Sequence, residues 1–83
     1  NVEVVAIEDA NNIDVRFFER GVGETLSSGT GSCASAVAAI STQLASSPIH
    51  VRALGGVQTV RWEREVLLRG PAEIICRGEV AGL

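Results

Sequence analysis

Lysine, methionine and tyrosine are missing from this 83-residue chain, and histidine occurs once, at position 50. A P-loop closes on Gly-Lys-Ser/Thr, so the lack of lysine excludes it. Two cysteines, Cys33 and Cys76, with no C-x-x-C spacing and one histidine make neither a disulfide framework nor a metal site. That cysteine usage points to a cytoplasmic setting with both thiols reduced. The seven basic residues, all arginine, are scattered, and the net charge is −3. No basic stripe exists for nucleic acid. No apolar run reaches the roughly 20 residues of a membrane span. The opening run Val2–Ile7 is too short and too acidic for a signal peptide.

What remains is an ordinary globular balance, 46% hydrophobic and 20% charged. The length allows one domain, residues 1–83, with a thin stability margin, since a chain this size buries about 60–65% of its unfolded surface. The first residue is Asn1 and a strand-like run follows at once, which suggests a piece of a longer protein.

Val2–Glu8 reads as a strand, Asp9–Asn12 as a turn. Ile13–Phe18 alternates, with Ile13, Val15 and Phe17 on one face and Asp14 and Arg16 on the other. Glu19–Ser28 reads as a loop. From about Thr30 to Ala45 the spacing turns helical, closed by Ser46-Ser47-Pro48. Its apolar positions run nearly all round, as in a buried helix. Ile49–Leu54, Val57–Trp62, Val66–Arg69 and Glu73–Val80 read as strands, with a hairpin signal at Gly55-Gly56. These elements predict an α+β fold: a curved, mostly antiparallel sheet of about six strands wrapped around one central buried helix.

Chemistry concentrates before that helix. Ser27-Ser28-Gly29-Thr30-Gly31-Ser32 opens it, and helix N-termini present unpaired amides and a partial positive charge to anions. A plain N-cap by a serine or threonine hydroxyl is the simpler use of the same residues. Gly29-x-Gly31-x-x-Ala34 fits the dinucleotide fingerprint only loosely, because no strand directly precedes it and Ile49-His50-Val51 stands where an acid is required. Glu19-Arg20 precedes the loop. Arginine offers a planar fork to a carboxylate, and a neighbouring glutamate can serve as a base or orient one. Taken alone, such a pair is more often a solvated surface pair. Cys33 and Cys76 read as core residues, His50 as a solvent-facing strand residue, and Trp62 as core or interface.

The run Glu19-Arg20-Gly21-Val22-Gly23-Glu24-Thr25-Leu26-Ser27-Ser28-Gly29-Thr30-Gly31 resembles the second signature of the diaminopimelate epimerases. Gly55-Gly56 and Gly70-Pro71-Ala72-Glu73 resemble later landmarks of that family, and the likeness runs from Asn1 to about Val80. The resemblance implies a two-lobed isomerase in which this chain is the C-terminal lobe and the N-terminal lobe is absent. It implies interconversion of LL- and meso-diaminopimelate for lysine and peptidoglycan synthesis, without cofactor, and pairing as a homodimer. Carried over by position, Asn1 contacts substrate and Glu19 lies beside the reacting centre. Arg20 binds the α-carboxylate, and the backbone amides of Gly29 and Thr30 hold the same group. Ser28 departs from the pattern, because the family places there one of two cysteines that face the α-carbon from opposite sides. The expectation is therefore a lobe inactive alone, with two alternatives: a non-catalytic carboxylate-binding or interaction module, or a related isomerase of another substrate.

Overall fold

The computed structural model describes residues 1–82. Strand β2 (Asn12–Glu19) organises the molecule. Its alternation puts Ile13, Val15 and Phe17 into the core, each at most 2% exposed. Strand β1 (Val2–Asp9) pairs with it antiparallel through the turn at Ala10-Asn11. Asp9 holds that turn: its Oδ1 accepts from the Asn11 amide and from Asn12 Nδ2, both at 2.9 Å.

Helix α1 (Gly29–Ser41) carries the chain across to strand β4 (Ile49–Ala53), which lies parallel to β2 with Ile13 opposite Val51. A parallel neighbour requires such a crossover. Strands β5 (Gly56–Trp62) and β6 (Val66–Arg69) complete the order β1-β2-β4-β5-β6 by antiparallel pairing. A short strand β3 (Gly23–Thr25) pairs with the far end of β2. Among the described residues the sheet has six strands, mostly antiparallel, with one helix, so the expected α+β class holds.

The helix lies close to the sheet because the residues facing it are small. Gly31, Ser32, Ser35, Ala36 and Ala39 are buried. A side chain at Gly31 would sit 2.8 Å from the Phe17 ring, so only glycine admits this approach. Ile49, Val51 and Val60 close the core from the other strands.

Four details differ from the sequence reading. The helix is buried along one stripe, with Thr30, Ala34 and Ala38 exposed on an open sheet. It ends at Ser41, not Ala45, because Gln43 takes a left-handed conformation (φ 62°). The Gln43 amide then donates to Ile40 O and the Leu44 amide to Ala39 O, each at 3.0 Å, the pairing of a Schellman stop. The β4–β5 turn falls one residue early, on Leu54-Gly55, since Ala53 pairs with Gly56.

Finally, Glu73–Val80 forms no strand. A strand exists only if its amides and carbonyls find a ladder, and none pairs with this segment. Ile74 and Ile75 are 75% and 90% exposed, and Cys76 is exposed where a core position was expected. The sixth strand is β3 instead, inside the stretch read as loop. Cys33 is half-buried and packs against the core, and His50 faces solvent, as expected. No described helix is long and apolar enough to cross a membrane.

Candidate functional site at the start of the helix

Ser28 is the N-cap of α1. Its extended backbone (φ −155°, ψ 120°) turns the hydroxyl back onto the first turn, where Oγ accepts from the Gly31 amide at 3.1 Å. The first helical bond follows, from the Ser32 amide to Ser28 O at 2.8 Å. Between them, the Gly29 and Thr30 amides have no hydrogen-bond partner among the described residues. The N-cap and anion-site readings of this loop are therefore compatible: the hydroxyl satisfies one amide and leaves two without a partner among the described residues. Such amides, together with the helix dipole, favour an anion.

Two contacts fix the helix start. The buried Ser32 hydroxyl donates to Gln58 Oε1 on β5 at 2.6 Å. The Gly55 amide donates to Leu26 O at 2.8 Å and ties the preceding loop to the β4–β5 turn. A side chain at Gly55 would meet Leu26 O at 2.9 Å, so glycine is needed there too.

Asn1 and Arg20 meet at the same end of the sheet. The Arg20 amide donates to Asn1 Oδ1 at 2.8 Å. Arg20 follows β2 directly, in a tight turn where the Val22 amide donates to Glu19 O at 3.1 Å. The Arg20 side chain is exposed and makes no ion pair among the described residues. Glu19 is half-buried opposite Gly23 in the β2–β3 register.

Phe17 and Glu3 link these groups to the helix. They are register partners, and both approach the Gly31 position, the Phe17 ring at 2.8 Å and Glu3 Oε1 at 3.0 Å. Asn1 lies two residues before Glu3, about 7 Å along the strand, and Glu19 lies two residues after Phe17. The first end of β1, the last end of β2 and the first turn of α1 therefore gather at one edge of the fold.

Glu3 was not singled out from the sequence. It is a half-buried acid on the face of β1 that looks toward the helix, and its place in the Val2-Glu3-Val4 alternation was the available signal. A carboxylate beside a helix N-terminus is stabilising, and it also competes with any external anion for the same positive end. The neighbouring Thr25 hydroxyl is shielded from solvent and has no partner among the described residues. Gln58 was missed as well, because its role depends on a contact 26 residues away.

The family model for diaminopimelate epimerase matches residues 1–75. The diaminopimelate epimerase of Aromatoleum aromaticum is 45% identical over 83 residues, an alignment covering 96% of this chain and 30% of the relative. Those of Variovorax paradoxus and Herminiimonas arsenicoxydans are 42% and 43% identical, covering 96% of this chain and 28% and 29% of the relatives. The chain thus spans a little under a third of the curated relatives it matches. The family match spans both the Glu19-Arg20 turn and the Ser28–Thr30 helix start, and with these relatives it shows that the chain belongs to the diaminopimelate epimerase family.

Proposed function

We propose that this chain supplies the carboxylate-holding half of a cofactor-independent amino-acid epimerase that interconverts LL- and meso-diaminopimelate, an activity serving lysine and peptidoglycan synthesis. The observation that carries the reading is the pair of unpartnered amides, Gly29 and Thr30, at the mouth of α1. Those amides hold the substrate's α-carboxylate, and Arg20, steadied through its own amide by Asn1, neutralises the charge. Glu19 lies beside the reacting centre.

Inversion needs a base on one face of the α-carbon and an acid on the other. In this reading a second lobe supplies the thiol that works opposite position 28. Exposed Val22 and Leu26, at 70% and 65%, border the loop and give that lobe an apolar surface to cover. Ser28 is the weak point. A hydroxyl ionises far less readily than a thiol, whose reference pKa is about 8.5. Loss of one acid–base partner costs roughly 10²–10⁴ in rate. The chain alone therefore binds but does not epimerise. The intact protein would work in the cytoplasm, where thiols stay reduced, and would pair as a homodimer.

A non-catalytic carboxylate-binding module is the second reading. Ser28 favours it, because its oxygen is already engaged by the Gly31 amide. Titration with meso-diaminopimelate, followed by backbone amide NMR, tests the common core of both. Saturable shifts at Gly29 and Thr30 that disappear in Arg20→Gln are expected. A titration without saturation at those amides would sink both readings.

A further inference from the structure

A cavity of about 660 Å³ lies away from the helix start. It sits on the sheet face opposite α1: His50, Thr59 and Arg61 line it, and they alternate along β4 and β5 with Ile49, Val51 and Val60, which face the core. Register brings the polar groups side by side. His50 pairs with Thr59, and Thr59 with Arg69. Arg61 pairs with Leu67, which places it diagonal to Arg69, a neighbour at about 7–8 Å that long side chains reach.

Two guanidinium groups on one face would ordinarily draw in carboxylates. Elsewhere on this sheet they do: Arg16 pairs with Glu24 at 3.1 Å and Arg52 with Glu8 at 3.2 Å. Arg61 and Arg69 have no ion pair among the described residues. Among the described residues no carboxylate lines the cavity. Two acids stand at its edge. Glu63 and Glu65 share a smaller neighbouring cavity with Arg61. The His50 ring is steadied by a 3.1 Å contact between Nδ1 and Thr59 Oγ1.

We propose that this cavity is a second anion site, which binds a small molecule carrying a phosphate or diphosphate group. Arg61 and Arg69 clamp the oxyanion with their planar forks. Thr59 and His50 add hydrogen bonds from the floor, and Leu67 and Pro71 wall the remainder. The volume lies within the roughly 300–1,000 Å³ range of small-molecule sites. A small ligand is favoured over a nucleic acid by charge. The chain carries a net −3, so a long polyanion meets repulsion beyond the cavity, whereas a small anion feels only groups within a Debye length of about 8 Å. The site is independent of the carboxylate-holding amides, which lie on the other side of the sheet.

Titration of the 83-residue chain with inorganic pyrophosphate, followed by NMR and calorimetry, tests the proposal. Saturable shifts at His50, Thr59 and Arg69 are expected, with affinity weakened by at least about tenfold in Arg69→Gln and in Arg61→Gln, as loss of a bidentate oxyanion contact requires. Arg20→Gln should leave this binding unchanged, which separates the site from the helix start. Shifts in the unmodified chain decide the matter even if a variant fails to fold. No saturation at millimolar pyrophosphate, shifts confined to Gly29 and Thr30, or tighter binding of an oligonucleotide than of pyrophosphate would each overturn it.

Discussion

Asn1 and Arg20, 19 positions apart, are joined by a single hydrogen bond, from the Arg20 amide to Asn1 Oδ1 at 2.8 Å. The bond fixes the backbone from which the arginine side chain projects and leaves the guanidinium free for a ligand. Asn1→Ala is expected to leave the fold intact and to weaken carboxylate binding about two- to tenfold, the equivalent of roughly 0.5–1.5 kcal/mol for one hydrogen bond. Titration of the variant with meso-diaminopimelate checks this, and unchanged affinity would detach Asn1 from the site.

Gly31 makes the contact that brings α1 onto the sheet. A methyl group there would press on Phe17 Cδ1 at 2.8 Å and Cε1 at 2.9 Å, with Glu3 Oε1 also at 3.0 Å. Phe17 is 1% exposed and cannot swing away. Gly31→Ala should destabilise the fold by roughly 1–3 kcal/mol, as overpacking does. Urea denaturation would read the loss as a lower midpoint at similar slope.

These contacts show how far sequence reasoning reaches. The alternation of Ile13, Val15 and Phe17 fixed the core face of β2 directly, because a period of two has one buried side. The helix was visible, but its burial was overstated: Ala34 and Ala38 are apolar by composition yet small enough to sit in water at little cost. Its end was hidden, since glutamine rarely takes a left-handed backbone and Gln43 does so here. The strand expected over 73–80 failed for another reason. Alternation is a property of one segment, whereas a strand needs a second segment to pair with. At the site, Ser28 to Thr30 were legible from local helix-start chemistry. Glu3 and Gln58 were not, because their roles exist only once β1 and β5 are packed against the helix.

Gln43 invites a stabilising change. A non-glycine residue in the left-handed region costs about 1–2 kcal/mol, and glycine is the usual occupant of this position in a Schellman stop. Part of the gain is lost to the greater freedom of glycine in the unfolded chain. Gln43→Gly is expected to raise stability by about 0.5–1 kcal/mol, or roughly 3–6 °C in Tm for a domain of this size. Thermal unfolding followed by circular dichroism measures it, and a lower Tm would contradict this account of the helix end.

The β1–β2 turn should respond to acid. Hydrogen bonds from the Asn12 side chain and the Asn11 amide hold the Asp9 carboxyl below its usual range. A group with a depressed native value stabilises the fold above its unfolded value and loses that contribution as pH falls through the native one. Glu8 next to it runs the opposite way, raised chiefly by a hydrogen bond with Asp14, so its ionisation opposes folding. Asp9→Asn should therefore be less stable than the parent at neutral pH, with the gap closing as pH falls below the ordinary carboxylate range. Paired denaturation curves across that range test the sign. A gap that widened toward acid would mean that the native fold raises the Asp9 carboxyl and would overturn this account of the turn.

Position 28 is where stability and chemistry pull apart. As the cap of α1, the Ser28 hydroxyl satisfies the Gly31 amide, and Ser28→Ala should cost about 1 kcal/mol of stability. A thiol is a poorer hydrogen-bond acceptor than a hydroxyl, so Ser28→Cys should also lose stability, though less than alanine if sulfur still contacts the amide. Only the cysteine adds an ionisable group, and at a helix N-terminus the dipole lowers a thiol pKa. The two variants should therefore part in reactivity. Ser28→Cys is expected to react with iodoacetamide faster than the half-buried Cys33 at neutral pH, whereas the parent and Ser28→Ala should react only at Cys33 and the exposed Cys76. Mass spectrometry of peptides after timed alkylation distinguishes the sites. Equal rates at positions 28 and 33 would mean that this helix end does not activate a thiol, and the proton-transfer role assigned to the position would lose its physical basis.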